Sequence, residues 1–423
     1  MPPKKKFDVV VIGGGMIVND QLLPSIYQLQ REGVINDIHV VDQSTRSLRA
    51  LAENPDFARN FPDQQFIAYP SLDEPPENSY PDLFREVIGQ LVPRNAVIVA
   101  LPDHLHYMGI KEALEHDQHV LSVKPLVLKY DQTKEIESLA AEKGLFVAAE
   151  YHKRFDRRAL IVKRRYGLGH FGEFICGEAR LFEPYYYRNS NFQNWFLVDN
   201  TDPFVYIGCH YVDLVWFITG LKPMSISVTG VKGTFPNGNE GYLWSNGRVV
   251  YENGAVLSVT NGLGYPNAAA GSNDQGLMMF FEGSGQTGYL KHNDQFRGVE
   301  WSYLEGIGPS GQQFNYVNPD YLQFVPWEGA GFKPVGYGFD SVAASMSAIS
   351  HLVNDTAGLN EETALHRRQE ILKVIDAKGI LATPASAYIN ELVTEAARLS
   401  IQNGGTFADI TYEPRPAVCL RTL

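Results

Sequence analysis

Residues 7–18 read FDVVVIGGGMIV, and this stretch decides the fold of the first part of the chain. A run of apolar, mostly β-branched residues ends at three consecutive glycines, and a helical pattern follows at once. This order is typical of the first strand–turn–helix of a dinucleotide-binding domain, where the turn admits a pyrophosphate to the helix N-terminus. Gly13, Gly15, Met16 and Ile17 are therefore predicted to contact a cofactor, although Val18 stands where the motif usually has its third glycine.

The first 150 residues continue this alternation of strands and helices. Val- and Ile-rich runs separated by helical periods indicate a parallel sheet that is covered on both faces. The predicted strands are 7–12, 38–42, 65–69, 96–101, 119–123 and 145–149, and the predicted helices are 16–31, 47–53, 81–91, 105–116 and 130–143. Residues 1–150 are thus predicted to form a doubly wound parallel sheet of the Rossmann type.

An acidic residue ends the second predicted strand. Asp42 stands where a carboxylate accepts hydrogen bonds from the adenosine ribose and repels a 2′-phosphate. Arg46, four residues later, could instead stack on adenine or neutralise a 2′-phosphate. We predict that the cofactor is NAD, with NADP as the less favoured alternative.

The pattern changes after residue 150. Segments with strand-like alternation are separated by Gly- and Asn-rich turns, and Asn253-Gly254 predicts a hairpin. Residues 151–423 are predicted to form a domain for substrate binding and oligomerisation, built on a large, mostly antiparallel sheet with helices on one face. Helices within 340–400 are expected to pack back on the core. Val256, Met278 and Phe280 would lie on the uncovered face, which predicts a homodimer or homotetramer packed through this sheet.

Composition excludes several classes of protein. Acidic residues outnumber basic ones by 48 to 36, giving a net charge of −12, so a nucleic-acid partner is not expected. No apolar run approaches the roughly 18–20 residues that span a bilayer, and no membrane association is expected. Lys4–Lys6 precede an apolar run that stops at Gly13, which indicates a buried strand rather than a secretory signal. With three scattered cysteines, a cytoplasmic location is predicted.

Four further motifs resemble those of the Gfo/Idh/MocA family of NAD(P)-dependent oxidoreductases, which includes glucose-fructose oxidoreductase and inositol dehydrogenase. LPDHLH at 101–106 is similar to the family's TPxxxH turn, and VKP at 123–125 is similar to its EKP motif, with valine replacing glutamate. EYHKRF at 150–155 resembles NRRF, with His152 in place of asparagine. YIGCHYVD at 206–213 resembles DxGxHxxD, with Tyr206 in place of the first aspartate.

The resemblance implies a dehydrogenase site. Leu101, Pro102, His106 and Lys124 would border the cofactor at the ends of the fourth and fifth strands. Lys124 would also be catalytic, by hydrogen-bonding the substrate hydroxyl.

A polar stripe on a predicted apolar helix supplies the other catalytic candidates. Tyr206, His210 and Asp213 are spaced i, i+4, i+7 and therefore share one helix face. His210 would accept the substrate proton, since histidine titrates near neutral pH. Tyr206 would assist proton transfer or orient the hydroxyl, and Asp213 would bind a sugar hydroxyl. The competing interpretation is that His210 is a buried, hydrogen-bonded histidine.

The remaining substrate contacts are predicted from position and chemistry. His152 and Arg154 follow the last strand of the first domain, where they could hold a polyol or uronate. Tyr186 and Trp195 lie in an aromatic-rich loop, and such rings either stack on sugars or anchor subunit interfaces. No metal site is expected, because no carboxylate-rich His cluster accompanies the histidines of the 101–106 turn.

Three functions are compatible with these features. The leading hypothesis is an NAD-dependent dehydrogenase that acts on a secondary hydroxyl of a sugar, glycoside or cyclitol. An NAD-dependent glycosidase that works by transient oxidation and elimination would use the same residues. A non-enzymatic dinucleotide-binding regulator is less favoured, since both Lys124 and His210 are present.

Overall fold

A six-stranded parallel sheet organises the first part of the chain in the computed structural model, which describes residues 5–269, 273–283, 285–293, 302–308, 311–316 and 320–422. The strands are β1 (Phe7–Ile12), β2 (Ile35–Val41), β3 (Ile67–Tyr69), β4 (Ala96–Val99), β5 (His119–Val123) and β6 (Val147–Glu150). Their order is β3-β2-β1-β4-β5-β6, and every neighbouring pair is parallel. The predicted Rossmann-type sheet is confirmed.

The strand order of this sheet places a ligand crevice. The chain leaves β1 towards β2 on one side and returns to β4 on the other, so the order reverses between β1 and β4. In open α/β sheets, ligands bind outside the carboxyl ends of the strands at such a point. The glycine turn follows β1 directly and therefore lies at this crevice.

Helices connect these strands and cover the sheet. They are α1 (Leu23–Arg31), α2 (Thr45–Ala52), α3 (Pro55–Asn60), α4 (Leu83–Gly89), α5 (His106–Glu115) and α6 (Tyr130–Lys143). The segment predicted as one helix over 16–31 is divided, because a π-helical turn, Val18–Leu22, precedes α1. Helix α3 was missed by the sequence patterns; it begins after Asn54, whose side chain accepts a hydrogen bond from the Asp56 N–H at 2.9 Å.

The described chain forms two units. The first consists of Met1–Val127, Asp131–Phe155 and Asp320–Ala387, and the second of Leu128–Tyr130, Asp156–Pro319 and Tyr388–Leu423.

The last part of the first unit adds a small hairpin and two long helices to the sheet. These elements are β15 (Gln323–Val325), β16 (Lys333–Val335), α10 (Tyr337–Asp355) and α11 (Glu361–Lys378). Val342, Met346 and Ile349 of α10 are buried in the same hydrophobic cluster as Val9 and Val11 of β1. The late helices thus do not all cover the second sheet, because α10 and α11 belong to the first unit.

The second unit is organised by an eight-stranded sheet of order β12-β11-β7-β10-β9-β8-β17-β18. Its strands are β7 (Glu173–Pro184), β8 (Pro223–Thr234), β9 (Glu240–Tyr251), β10 (Val256–Tyr265), β11 (Asp274–Gly283), β12 (Gln286–Asn293), β17 (Ala408–Thr411) and β18 (Ala417–Leu420). Two further strands, β13 (Ser302–Gly308) and β14 (Gly311–Tyr316), pair only with each other. All pairs in the large sheet are antiparallel except β7–β10. The predicted mostly antiparallel sheet is confirmed.

The Asn253-Gly254 turn joins β9 to β10. Gly254 has φ 85°, a left-handed conformation that glycine adopts without strain, and Val256 pairs with Val250 beyond the turn. The predicted hairpin is confirmed.

Helices of the second unit lie against one face of its sheet. They are α7 (Arg157–Gly167), α8 (Phe192–Trp195), α9 (Cys209–Thr219) and α12 (Pro384–Gln402). The Ser400 hydroxyl of α12 accepts a hydrogen bond from the Val228 N–H of β8 at 2.8 Å. On the other face Phe280 is 46% exposed, whereas Val256 and Met278 are half-buried, and Met278 pairs with Glu178 of β7.

Among the described residues, no helix is both long enough and apolar enough to cross a membrane.

Candidate active site

The glycine turn after β1 is shaped for a close approach by a ligand. Gly13 has φ 105°, and a Cβ there would lie 2.3 Å from the Ala100 carbonyl oxygen, so only glycine fits. Gly15 is exposed, and a Cβ on it would meet no atom within 4 Å. Its carbonyl oxygen accepts hydrogen bonds from the N–H groups of Val18 and Asn19 at 3.1 and 3.2 Å, which begins the following helix. Open space before a helix N-terminus fits a dinucleotide pyrophosphate.

Asp42 is held directly against this turn. Its Oδ2 accepts hydrogen bonds from the Gly14 N–H at 2.8 Å and the Ser47 hydroxyl at 2.5 Å, and its Oδ1 accepts one from the Gln43 N–H at 2.6 Å. All three partners donate to the carboxylate, and together they fix its orientation beside the turn. Arg46 is exposed. The structure therefore brings together Asp42 and the glycine turn, and it adds Ser47, for which the sequence offered no signal.

His106 joins the turns that follow β4 and β5. Its ring is buried, with Nε2 at 2.7 Å from the Leu101 carbonyl oxygen and Nδ1 at 2.7 Å from the Pro125 carbonyl oxygen. Both ring nitrogens are thus engaged by the backbone, and His106 acts on this edge of the sheet by holding the two turns together. Lys124 precedes Pro125 and is half-buried, as are Leu101 and Pro102.

His152 and Arg154 follow β6 in a short 3-10 helix of the first unit, His152–Phe155. Arg154 is fully buried; its guanidinium lies 5.7 Å from the centroid of the Tyr151 ring and donates to the Ile380 carbonyl oxygen at 3.5 Å. These contacts hold Arg154 within the first unit.

The polar stripe predicted from the sequence lies in the second unit, on a π-helical turn, Phe204–Gly208, and on α9. The sequence predicted one regular helix, whereas the π-helical turn contains Tyr206 and precedes His210; such turns are frequent at functional sites. His210 is 7% exposed and Asp213 is 1% exposed. The helix is apolar around them, as expected.

Tyr206 is packed by rings from the aromatic loop. The centroids of Phe192, Trp195 and Phe196 lie 5.3, 5.5 and 5.6 Å from that of Tyr206, all in edge-on geometry. Trp195 and Tyr186 are half-buried. The predicted loop residues and Tyr206 therefore form one aromatic cluster in the second unit.

Two residues of α12 bind the segment that carries the polar stripe. The Asn390 amide donates to Asp213 Oδ1 at 2.6 Å, and the Arg398 guanidinium lies 3.1 Å from Asp202 Oδ2. Asp202 Oδ1 also accepts the N–H of Val205 at 3.1 Å. Burial raises the pKa of Asp202, and the Arg398 guanidinium opposes that rise. No motif of the sequence indicates these partners, because residues after 380 lie beyond the segments that resemble the family.

Within the described part of the chain, no group of three or more His, Cys, Asp or Glu side chains has the arrangement of a metal site.

Comparison with known proteins tests the resemblance. Residues 7–151 match the family model described as the oxidoreductase family with an NAD-binding Rossmann fold, Gfo/Idh/MocA. Residues 7–151 are thus similar to the NAD-binding domain of the Gfo/Idh/MocA family. The resemblance inferred from its motifs is thus confirmed.

Curated relatives match over short segments. An uncharacterized oxidoreductase of Schizosaccharomyces pombe is 32% identical over 23% of this chain and 27% of its own length. The D-glucoside 3-dehydrogenase of Escherichia coli is 24% identical over 50% of this chain and 54% of its own length. The matches therefore span between a quarter and about half of these Gfo/Idh/MocA-like relatives.

Solved structures share the fold over nearly the whole chain. GenD2 from gentamicin A biosynthesis, solved in complex with NAD, is 16% identical, with a TM-score of 0.65 over 97% of this chain and 98% of its own. The myo-inositol 2-dehydrogenase of Lactobacillus plantarum is 13% identical, with a TM-score of 0.61 over 96% of this chain and 100% of its own. At these identities the likeness shows the fold alone.

Proposed function

We propose that this protein is an NAD-dependent dehydrogenase that oxidises a secondary hydroxyl group of a sugar, glycoside or cyclitol. The proposal is supported mainly by the residues at the carboxyl ends of the six-stranded sheet. A glycine turn with room for a dinucleotide follows β1, Asp42 follows β2, and Lys124 follows β5. The match of residues 7–151 to the model of an NAD-binding oxidoreductase family supports the cofactor class.

The residues of the first unit would hold the cofactor. The turn at Gly13 and Gly15 and the helix start at Met16 and Ile17 would bind the pyrophosphate through backbone N–H groups. Asp42 would accept hydrogen bonds from the ribose hydroxyls and disfavour a 2′-phosphate, which supports NAD over NADP. A bound nicotinamide cofactor would supply the acceptor for the hydride that leaves the substrate carbon.

Side chains of the protein would remove the proton from the substrate hydroxyl group. Lys124 would donate a hydrogen bond to the reacting hydroxyl, and His210 would accept the proton that the hydroxyl loses. Tyr206 is fixed by aromatic rings and would orient the hydroxyl. Asp213 would bind a sugar hydroxyl through its buried carboxylate, which also accepts a hydrogen bond from the Asn390 amide.

The substrate class rests on chemistry that sugars and cyclitols share. Half-buried aromatic faces at Tyr186 and Trp195 suit the apolar faces of pyranose or cyclitol rings, and His152 suits their hydroxyls. The names of two similar proteins, a D-glucoside 3-dehydrogenase and a myo-inositol 2-dehydrogenase, support the same class.

We further propose that two or four copies associate through the open face of the eight-stranded sheet, where Phe280 is exposed.

The proposal is tested by incubating the protein with a panel of sugars, glycosides and cyclitols and following NADH absorbance with NAD and with NADP. Stoichiometric NADH formation from NAD, at a higher kcat/KM than from NADP, is expected. Aglycone release from a glycoside with only catalytic NAD would identify the redox-assisted glycosidase instead. Failure of every panel member, with NADH still bound, would contradict the substrate class.

A further inference from the structure

A buried carboxylate that the proposed reaction does not use lies at the end of β6. Glu150 is 3% exposed. Its Oε1 accepts hydrogen bonds from the Gln21 amide at 2.9 Å and from the Ser341 hydroxyl, and its Oε2 lies 3.0 Å from Nδ1 of His152. Carboxylate oxygens accept hydrogen bonds, so the partner on Oε2 is expected to donate as well.

The surrounding bonds fix the orientation of the Gln21 amide. Its Oε1 accepts a hydrogen bond from the Tyr321 hydroxyl at 2.8 Å, while its Nε2 donates to Glu150 and to the Gly338 carbonyl oxygen at 3.0 Å. A flipped amide would place an oxygen against both of these acceptors, which is unfavourable. Because Gln21 belongs to the π-helical turn after the glycines, the cofactor-binding segment is tied to Glu150.

Aromatic rings hold the His152 imidazole in place. The ring stacks on Tyr337 with centroids 5.5 Å apart and an angle of 24°, and it lies 5.3 Å from Tyr321. With the ring fixed and Nδ1 facing a carboxylate, a neutral imidazole carries its proton on Nδ1 and has its lone pair on Nε2. His152 is then a hydrogen-bond acceptor at Nε2.

Strand pairing places the backbone of His152 and of Lys124 just beyond the ends of neighbouring strands. Val123 of β5 pairs with Glu150 of β6. Lys124 directly follows Val123, and His152 lies two residues after Glu150. Because Val123 is apolar, Glu150 supplies the carboxylate at this level of the two strands. An ammonium donor and an imidazole acceptor on neighbouring strand ends suit adjacent hydroxyls of one ring.

We propose that Glu150 is a positioning residue that keeps His152 protonated at Nδ1, so that Nε2 accepts a hydrogen bond from a substrate hydroxyl next to the one bound by Lys124. The identity of that hydroxyl rests on the proposed function. The tautomer does not, since it is a property of the protein without substrate.

The tautomer is measured by nitrogen-15 NMR of full-length protein with labelled histidine, saturated with NADH, at a pH where histidine is neutral. His152→Asn identifies the signals by their loss. We expect a protonated Nδ1 at His152 in the wild type and in Ser341→Ala, the matched control that removes one donor and keeps the carboxylate. Glu150→Gln is expected to shift the proton to Nε2. A wild-type His152 protonated at Nε2 would overturn the proposal, whether or not any variant folds.

Steady-state kinetics then test the consequence for the substrate. Glu150→Gln is expected to raise KM for the best ring substrate about tenfold, the value of one hydrogen bond, while kcat and the Kd for NADH change less than threefold. Ser341→Ala should leave KM within threefold. An equal loss of kcat and NADH affinity in Glu150→Gln would show a general structural role and overturn the proposal. If no ring substrate reacts with the wild type, the proposed function fails, but the NMR result still decides the tautomer.

Discussion

Gly15→Val separates cofactor binding from folding. A Cβ at Gly15 meets no atom within 4 Å, and its φ lies outside the left-handed range, so the variant has no steric cost in the protein alone. Its free energy of unfolding is expected to stay within about 0.5 kcal/mol of the wild-type value. The same open space is where the pyrophosphate would approach the backbone, so a branched side chain there obstructs the ligand.

The size of the binding defect follows from the bonds that are lost. A hydrogen bond from a backbone N–H to a charged phosphate contributes about 1.5–3 kcal/mol. Displacing the pyrophosphate from two such N–H groups therefore costs at least about 3 kcal/mol, which is a rise of roughly 100-fold or more in the Kd for NADH.

Gly13→Ala is the matched comparison from the same turn. Its Cβ would lie 2.3 Å from the Ala100 carbonyl oxygen, and its φ of 105° is unfavourable for alanine. This variant should be destabilised by at least about 2 kcal/mol, because the backbone must shift.

Calorimetric titration with NADH and urea unfolding of both variants provide the measurements. The expected result is a stable Gly15→Val protein whose Kd for NADH is raised roughly 100-fold or more, and a destabilised Gly13→Ala protein. A Gly15→Val protein that binds NADH within threefold of wild type would refute the assignment of this turn to the pyrophosphate.

Three other predictions concern single side chains. Lys124→Ala and His210→Ala should each lower single-turnover rates at least about 100-fold while NADH affinity changes less than threefold; a folded His210→Ala protein with wild-type turnover would contradict the catalytic role. Asn390→Leu removes a charge-assisted donor from the buried carboxylate of Asp213, so urea unfolding should show a loss of about 1.5–3 kcal/mol, and an unchanged midpoint would count against this anchoring role. Burial lowers the pKa of His119 from 6.5 to about 3. As the pH falls below 6.5, the unfolded chain therefore takes up a proton that the folded protein does not. The free energy of unfolding is then expected to be lower by about 2 kcal/mol at pH 5. Between pH 7 and pH 5 the free energy of unfolding of His119→Asn should fall by about 2 kcal/mol less than that of the wild type. An equal fall in both proteins would disprove this contribution of His119.

Local patterns were sufficient for much of the first unit. Strands β1 and β5 and helix α6 have the bounds that the sequence predicted, because apolar runs, helical periods and glycine turns are short-range properties of the chain. The glycine turn and Asp42 were found for the same reason, since each directly follows a buried strand. The Asn253-Gly254 hairpin is another feature that four neighbouring residues specify.

Only the tertiary structure decided which distant residues meet. Nothing near Asp202, Asp213 or Glu150 in the sequence indicates that their partners are Arg398, Asn390, Gln21 and Ser341. The same holds for α10: a helix was predicted within 340–400, but not the sheet against which it packs. A periodic pattern shows that a face will be buried, whereas its partner depends on how the whole chain packs, because every apolar surface offers a similar gain in free energy. Buried polar groups select among those packings, since each must find a partner that the local sequence does not contain.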